Sequence, residues 1–339
     1  MKRLLCFLMT LLLPASALAE GVAEIVPTHE TVQLEDGLSV VRLDGDDYFE
    51  DFLAQGGADS DMGVVLFLGR KLLIGDKDLR LRLESAGCSA LTVSAPDGDA
   101  LFGRNFDWYS SSVRIVESHP TTGYASVSTV NLDFLSVAAA LPASALNLAA
   151  LYAGLDGMNE CGLCVAVLYI EGIAAANQQN DRPDLTTTTL VRLLLNKAAD
   201  VDEALALLEQ YDFHSSLGMT VHFILSDAAG RSVAVEYVND ELLVTETPVL
   251  TNFVIADCAE YGTGTAQSMT RYEMLMQQLA DTPTMDEAAV QAAMQSVDKS
   301  HWYDGETTEW TMVCNKTKKT VTWYHRQDYS HGWTIRLGE

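Results

Sequence analysis

The chain has 339 residues, is 48% hydrophobic and carries a formal net charge of −26. That length and apolar content suffice for one large domain or two small ones with a packed core. The charge excludes nucleic-acid binding, which needs clustered Lys and Arg to neutralise phosphates, and it gives no support for docking on an anionic membrane.

Residues 1–19 read as a secretory signal. Lys2 and Arg3 form a basic start, Leu4 to Leu13 is nearly all apolar, and Ala17-Leu18-Ala19 is a small-residue cleavage site. The apolar run is too short to span a membrane, and no second run of spanning length follows. The expected product is secreted or held in the cell envelope, with no membrane span. Residues 20–87 form a propeptide or a retained N-terminal segment. Asp47 to Gln55 alternates acidic and apolar residues at helical spacing before a Gly-Gly break, and Met62 to Leu73 reads as a helix or strand, so this stretch looks able to pack.

Next comes Gly87-Cys88, then two apolar β-prone runs around Pro96-Asp97-Gly98-Asp99, which predicts a hairpin. Cys88 opens its first strand; Arg104 and Asp107 close the second. The hairpin is expected to bring thiol, guanidinium and carboxylate together at one edge. A cation favours thiolate, so the grouping suggests a nucleophile. Cys88 alone would be a buried structural thiol, and Arg104 with Asp107 alone a surface ion pair. Their common spacing favours a site.

Short strands and turns continue to about Ile170. Thr186 to Ala199 reads as a helix capped by its leading threonines, and Asp202 to Tyr211 as a second. Val221 to Leu225, Ser232 to Tyr237 and Leu242 to Thr247 read as antiparallel strands. Ser268 to Ala280 and Met285 to Val297 read as helices, and strands around Trp310–Asn315 and Thr320–His325 end the chain. This order fits two sheets between helical layers.

Five cysteines lie outside the signal: Cys88, Cys161, Cys164, Cys258 and Cys314. An odd count leaves at least one free thiol, and Cys88 is the candidate. Cys161 and Cys164 have CxxC spacing but no second such pair, and the seven histidines show no metal-like spacing. Core packing is the better reading for both cysteines.

Several stretches carry a resemblance. Cys88 followed by Gly103-Arg104-Asn105-Phe106-Asp107, and Asp156-Gly157-Met158-Asn159-Glu160-Cys161-Gly162-Leu163, resemble the choloylglycine hydrolase and penicillin V acylase superfamily, whose wider group includes acid ceramidase and acyl-coenzyme A:6-aminopenicillanic acid acyltransferases. Tyr169 ends the next strand, where the family places an asparagine or tyrosine beside the oxyanion; tyrosine leans toward penicillin V acylase. Val249-Leu250-Thr251-Asn252 resembles the segment supplying the oxyanion asparagine. Ser268-Met269-Thr270-Arg271-Tyr272 resembles a segment with a second active-site arginine, although the spacing differs there. Thr308 to Cys314 resembles the family's closing hairpin. Without the resemblance, Asn159 is a turn residue, Tyr169 a core aromatic, Asn252 a turn cap and Arg271 a solvated helix arginine.

The resemblance implies an α+β, four-layer αββα sandwich of antiparallel sheets over residues 88–339, the N-terminal nucleophile hydrolase fold. It implies autocleavage at Gly87-Cys88, after which the Cys88 α-amine serves as base to its own thiol. The substrate would be a small-molecule N-acyl amide of bile-salt, penicillin V or N-acyl amine type. Cys88 would be the nucleophile, Arg104 and Asp107 would hold its amine and thiol in register, and Asn252, with Tyr169, would face the oxyanion. No metal or organic cofactor is required, and a homo-oligomer stays open. Acyl transfer through the same thioester is an alternative, as is a non-catalytic binding protein on the same fold.

Overall fold

A computed structural model describes residues 21–72, 87–135, 141–302 and 305–338. The expected signal and the end of the Met62 to Leu73 element lie outside the described residues.

In chain order the elements are β1 (Val22–Glu24), β2 (Val32–Glu35), β3 (Leu38–Gly45), α1 (Phe49–Ala54), α2 (Asp61–Lys71), β4 (Gly87–Ser94), β5 (Ala100–Trp108), β6 (Val113–Pro120) and β7 (Ser126–Asn131). They continue with α3 (Ala143–Leu151), β8 (Asp156–Asn159), β9 (Cys164–Tyr169), β10 (Asp184–Thr186), α4 (Thr187–Lys197), α5 (Val201–Leu208), β11 (Asp212–His214), β12 (Val221–Ser226), β13 (Ser232–Val238), β14 (Glu241–Glu246) and β15 (Val249–Leu250). The last are α6 (Ala266–Asp281), α7 (Glu287–Ser296), β16 (Thr307–Asn315), β17 (Thr320–His325) and β18 (Gly332–Arg336).

Two large sheets form, one of seven strands in the order β1-β18-β17-β16-β5-β4-β15 and one of nine in the order β14-β13-β12-β9-β8-β7-β6-β3-β2. Strand periodicity decides how they stack, because successive side chains point to opposite faces. On β4, Cys88 and Ala90 pack between the sheets, while Leu91 and Val93 face α6 and α7 through Leu275, Val290 and Met294. On β9, Cys164, Ala166 and Leu168 point between the sheets, while Val165 and Val167 face helix residues such as Leu190, Leu194 and Leu208. Three apolar layers thus separate four layers of structure, the expected αββα order. Local chemistry starts the helices: Thr186 and Thr189 form a capping box on α4, and Asp200, Thr265 and Asp286 cap α5, α6 and α7.

From Gly87 onward, every pairing within the two large sheets is antiparallel. The segment before Cys88 adds the parallel ones. β1 pairs with β18 in the first sheet and β3 pairs with β6 in the second. Leu38, Val40, Val41, Phe49, Phe52 and Phe67 are buried in the same cores as the rest of the chain. The chain closes on three strands rather than the two expected, because β18 finds its second partner in β1. Helix α3 replaces part of the expected run of strands; its sequence, Ala-Ser-Ala-Leu-Asn-Leu-Ala-Ala-Leu, has no charged face to set a helical period.

Candidate active site

The β4–β5 hairpin forms as expected, turning through Ala95–Asp99 with Gly98 at φ +94°, a conformation that suits glycine. Its register pairs Gly87 with Asp107, Cys88 with Phe106 and Ala90 with Arg104. Thiol, guanidinium and carboxylate therefore gather at one end of the hairpin but not on one face. Cys88 and Arg104 point between the sheets; Asp107, an odd number of residues from Arg104, points toward the α6–α7 layer. The hairpin thus joins them at one edge, with the carboxylate on the opposite face from the thiol and guanidinium.

Between the sheets, Arg104 is fully buried. Its guanidinium donates to the Val167 carbonyl at 2.9 Å and its Nε lies 2.8 Å from Asp156 Oδ2, so it ties β5 to β8 and β9 across the sandwich. The Phe106 and Trp310 rings lie 5.0 and 5.5 Å from it, within cation–π range. Trp310 Nε1 donates to the same Asp156 oxygen at 2.8 Å. Burial pushes the Asp156 carboxyl up, against the pull of Arg104 and of hydrogen bonds from Thr129 and Trp310. Burial likewise pushes the Cys88 thiol up. Arg104 opposes that rise, the Asp107 charge adds to it, and a hydrogen bond from the Asp107 backbone and the Arg271 charge oppose it again.

On the opposite face, Arg271 reaches from α6 beneath β4. It donates to the Cys88 carbonyl at 2.7 Å, to Ser89 Oγ at 2.6 Å and to Asn252 Oδ1 at 2.8 Å, and lies 3.4 Å from Asp107 Oδ2. Asp107 also accepts from Thr308 Oγ1 at 2.6 Å, beside an irregularity in the β5–β16 register between Thr308 and Trp310. Burial raises the Asp107 carboxyl, opposed by Arg271, Lys299, Thr308 and Arg104. Gly87 passes through this crowd: a Cβ there would sit 2.8 Å from Lys299 Cε and 3.0 Å from Asp107 Oδ2.

Asn252 arrives by strand pairing. β15 lies against β4 with Leu250 opposite Ala90, so the next two residues run alongside Cys88. The Cys88 N–H donates to Asn252 Oδ1 at 2.6 Å, and Asn252 Nδ2 donates to the Tyr169 carbonyl at 2.7 Å. Definite donors on one side and a definite acceptor on the other fix the amide's orientation. The structure thus gives Asn252 a place on the nitrogen of Cys88, which the expectation of an oxyanion donor did not include. Behind it, His222 faces the Thr251 carbonyl at 2.7 Å and Glu236 Oε1 at 2.9 Å, and Thr251 Oγ1 donates to the Ser268 carbonyl at 2.9 Å.

Cys88, 2% exposed, lines a cavity of about 930 Å³. Phe106, Trp108, Phe134, Val167 and Tyr169 surround it at that end. Among the described residues no three His, Cys, Asp or Glu side chains converge in a metal-binding arrangement, and no helix is long and apolar enough to cross a membrane.

The model of the linear amide C–N hydrolases, choloylglycine hydrolase family, matches residues 88–301. The chain belongs to this family. Two structures of the conjugated bile acid hydrolase from Clostridium perfringens, a cysteine-to-alanine mutant and an arginine-to-leucine variant, each superpose with a TM-score of 0.55 at 17% identity, over 74% of this chain and 92% of theirs. Penicillin V acylase from Agrobacterium tumefaciens gives a TM-score of 0.51 at 18% identity, over 74% of this chain and 86% of its own. These likenesses establish the shared fold. No curated protein sequence matches the chain.

Of the candidate residues in this choloylglycine-hydrolase-family chain, Cys88, Asp107, Asn252 and Arg271 meet in one hydrogen-bonded network. Arg104 shares the face of the Cys88 side chain, within electrostatic reach of the thiol, and Tyr169 joins through its carbonyl and the cavity wall. Sequence reasoning passed over Ser89, Thr308, Asp156, His222 and Glu236. Asp156 and Thr308 lie inside stretches that carry the resemblance, but nothing local in either stretch signals the partner each meets. His222 and Glu236 each sit among apolar strand residues, where an isolated polar group is itself a signal.

Proposed function

We propose that this chain is an exported amidase that hydrolyses linear N-acyl amides through a thioester on Cys88, after cleavage of the Gly87–Cys88 bond. The observation that carries the reading is the double hold on Cys88: Asn252 takes its nitrogen and Arg271 its carbonyl, while the residue itself lines a large apolar cavity. Two comparisons support it. The family match opens at Cys88. The cysteine and arginine replaced in the two bile acid hydrolase structures are sixteen positions apart, as are Cys88 and Arg104.

While the Gly87–Cys88 bond is intact, burial holds the thiol protonated. Attack of that thiol on the Gly87 carbonyl shifts the acyl group from nitrogen to sulfur, and water then releases the Gly87 carboxylate. The new α-amine stands where the amide nitrogen stood, against Asn252. An α-amine is a base near neutral pH, so it takes the thiol proton, and Arg104 favours the resulting thiolate. The thiolate adds to the substrate's amide carbonyl. Asn252 Nδ2 has two hydrogens; one is on the Tyr169 carbonyl, and the second donates to the oxyanion. The leaving amine takes the proton back, and water resolves the thioester to a carboxylic acid and free thiol.

Intact mass and N-terminal sequencing of the purified protein test the reading, together with amine release from conjugated bile salts, penicillin V and N-acyl amino acids. The expected chain starts Cys-Ser-Ala-Leu, Cys88→Ala stays uncut, and alkylating Cys88 stops turnover. A homogeneous active protein starting at Glu20, or turnover that survives alkylation, overturns it.

A further inference from the structure

Helix α2 lies upstream of the region that the family model matches, yet it forms one side of the cavity beside Cys88. Val64, Phe67 and Leu68 are buried in the core, and Val64 and Leu68 also border the cavity. Met62, Val65, Leu66 and Gly69 line it too, with Met62 and Leu66 about half exposed at 51% and 49%. A helix needs only one apolar stripe to pack. Met62, Val65, Leu66 and Gly69 lie outside that stripe and leave apolar surface to the cavity that Cys88 opens into.

The cavity is poor in charge: among the described residues its charged lining side chains are Asp61 and Arg70, both on α2 and both with partners. Asp61 accepts from Ser216 Oγ at 2.6 Å and from the Leu217 N–H at 2.8 Å, and Arg70 donates to Gln55 at 3.3 Å. Leu135, Ala145, Ala149, Leu155 and Val221 also line the cavity. At about 930 Å³ the space is at the upper end of the range for small-molecule pockets.

We propose that α2, a part of the segment before the nucleophile, is the specificity wall of this enzyme, and that it selects amides whose acyl group is large, apolar and uncharged. The inference rests on the amidase reading, because it places the acyl group on Cys88. A charged or small acyl group would leave apolar wall in contact with water or would strand a charge without a partner, and both lower affinity.

The test is kcat/KM across N-acyl glycines from acetyl to palmitoyl, with succinyl glycine as a charged arm and cholylglycine as a rigid one. The native enzyme should prefer palmitoyl or cholyl to acetyl and succinyl; which of the two leads tells a chain from a ring system. Val65→Trp should lower the palmitoyl-to-acetyl ratio about tenfold or more, the scale of apolar-pocket discrimination. Leu66→Gln, at a half-exposed position that spares folding, should lower it in the same direction. A native preference for acetyl or succinyl, or a ratio unmoved by both variants, overturns the proposal. If no amide is turned over, the amidase reading fails, and a second readout still decides this one: palmitate should slow iodoacetamide labelling of Cys88 in the native protein and do so less in Val65→Trp. No slowing, or equal slowing in both, overturns it.

Discussion

The nitrogen of Cys88 and the guanidinium of Arg271 converge on one atom, Asn252 Oδ1, at 2.6 and 2.8 Å. Two donors on one amide oxygen turn its NH₂ toward Tyr169 and hold it there. On the proposed mechanism, Asn252→Ala removes both the anchor of the Cys88 nitrogen and an N–H for the tetrahedral intermediate. Loss of such a donor lowers kcat by about a hundredfold or more with little change in ground-state affinity. Steady-state kinetics on processed Asn252→Ala should show a low kcat and near-normal KM. Normal turnover would reduce Asn252 to a turn residue.

What was legible in the sequence was whatever depends on near neighbours. The hairpin carrying Cys88 follows from alternation and a Pro-Asp-Gly turn, and the helices over Thr187–Lys197 and Ala266–Asp281 follow from caps and apolar spacing. What stayed hidden depends on distant pairing. Nothing local says that Val22–Glu24 will lie beside Gly332–Arg336, or that Asp156 will meet Arg104 across two sheets. Arg271 shows the difference well: on its own helix it reads as a solvated arginine, and only the packing of that helix under β4 buries it against Cys88.

If the Gly87–Cys88 bond is cut as proposed, the segment before Cys88 should stay bound afterwards. It supplies one strand to the first sheet and two to the second, and buried side chains such as Leu38, Val41, Phe52 and Phe67 contribute about 1.5–3 kcal/mol each. Native mass spectrometry of the processed protein should find both pieces in one particle, and denaturing conditions should part them. A fully active particle made of residues 88–339 alone would show that the segment is disposable.

Arg104 and Asp156 form a buried ion pair, and removing one partner leaves an uncompensated charge in the core. Asp156→Ala should cost about 3–5 kcal/mol of stability. It also frees the guanidinium that opposes the rise of the Cys88 thiol. Urea unfolding of this variant should show a markedly lower midpoint. An unchanged midpoint would mean that Val167 and the flanking rings hold Arg104 unaided.

The His222–Glu236 pair should give the fold an acid limit. Burial pushes the Glu236 carboxyl up, but the His222 hydrogen bond and charge and the N–H groups of Ile255 and Ala256 outweigh it and leave the carboxyl below its ordinary value of 4.5. A carboxyl lowered in the folded state contributes stability that is fully present above its unfolded value and is lost as pH falls through the folded one. Because His222 holds the Thr251 carbonyl next to Asn252, that loss loosens the segment that grips Cys88. Thermal melts between about pH 3 and pH 6 should therefore show native stability falling on the acid side of 4.5, and Glu236→Gln should flatten that limb while lowering stability at neutral pH. The same variant should lower kcat more than it raises KM, because the hold on Cys88 is disturbed and the cavity is not. Parallel pH profiles for native and Glu236→Gln protein would show that the pair contributes nothing to the acid limit.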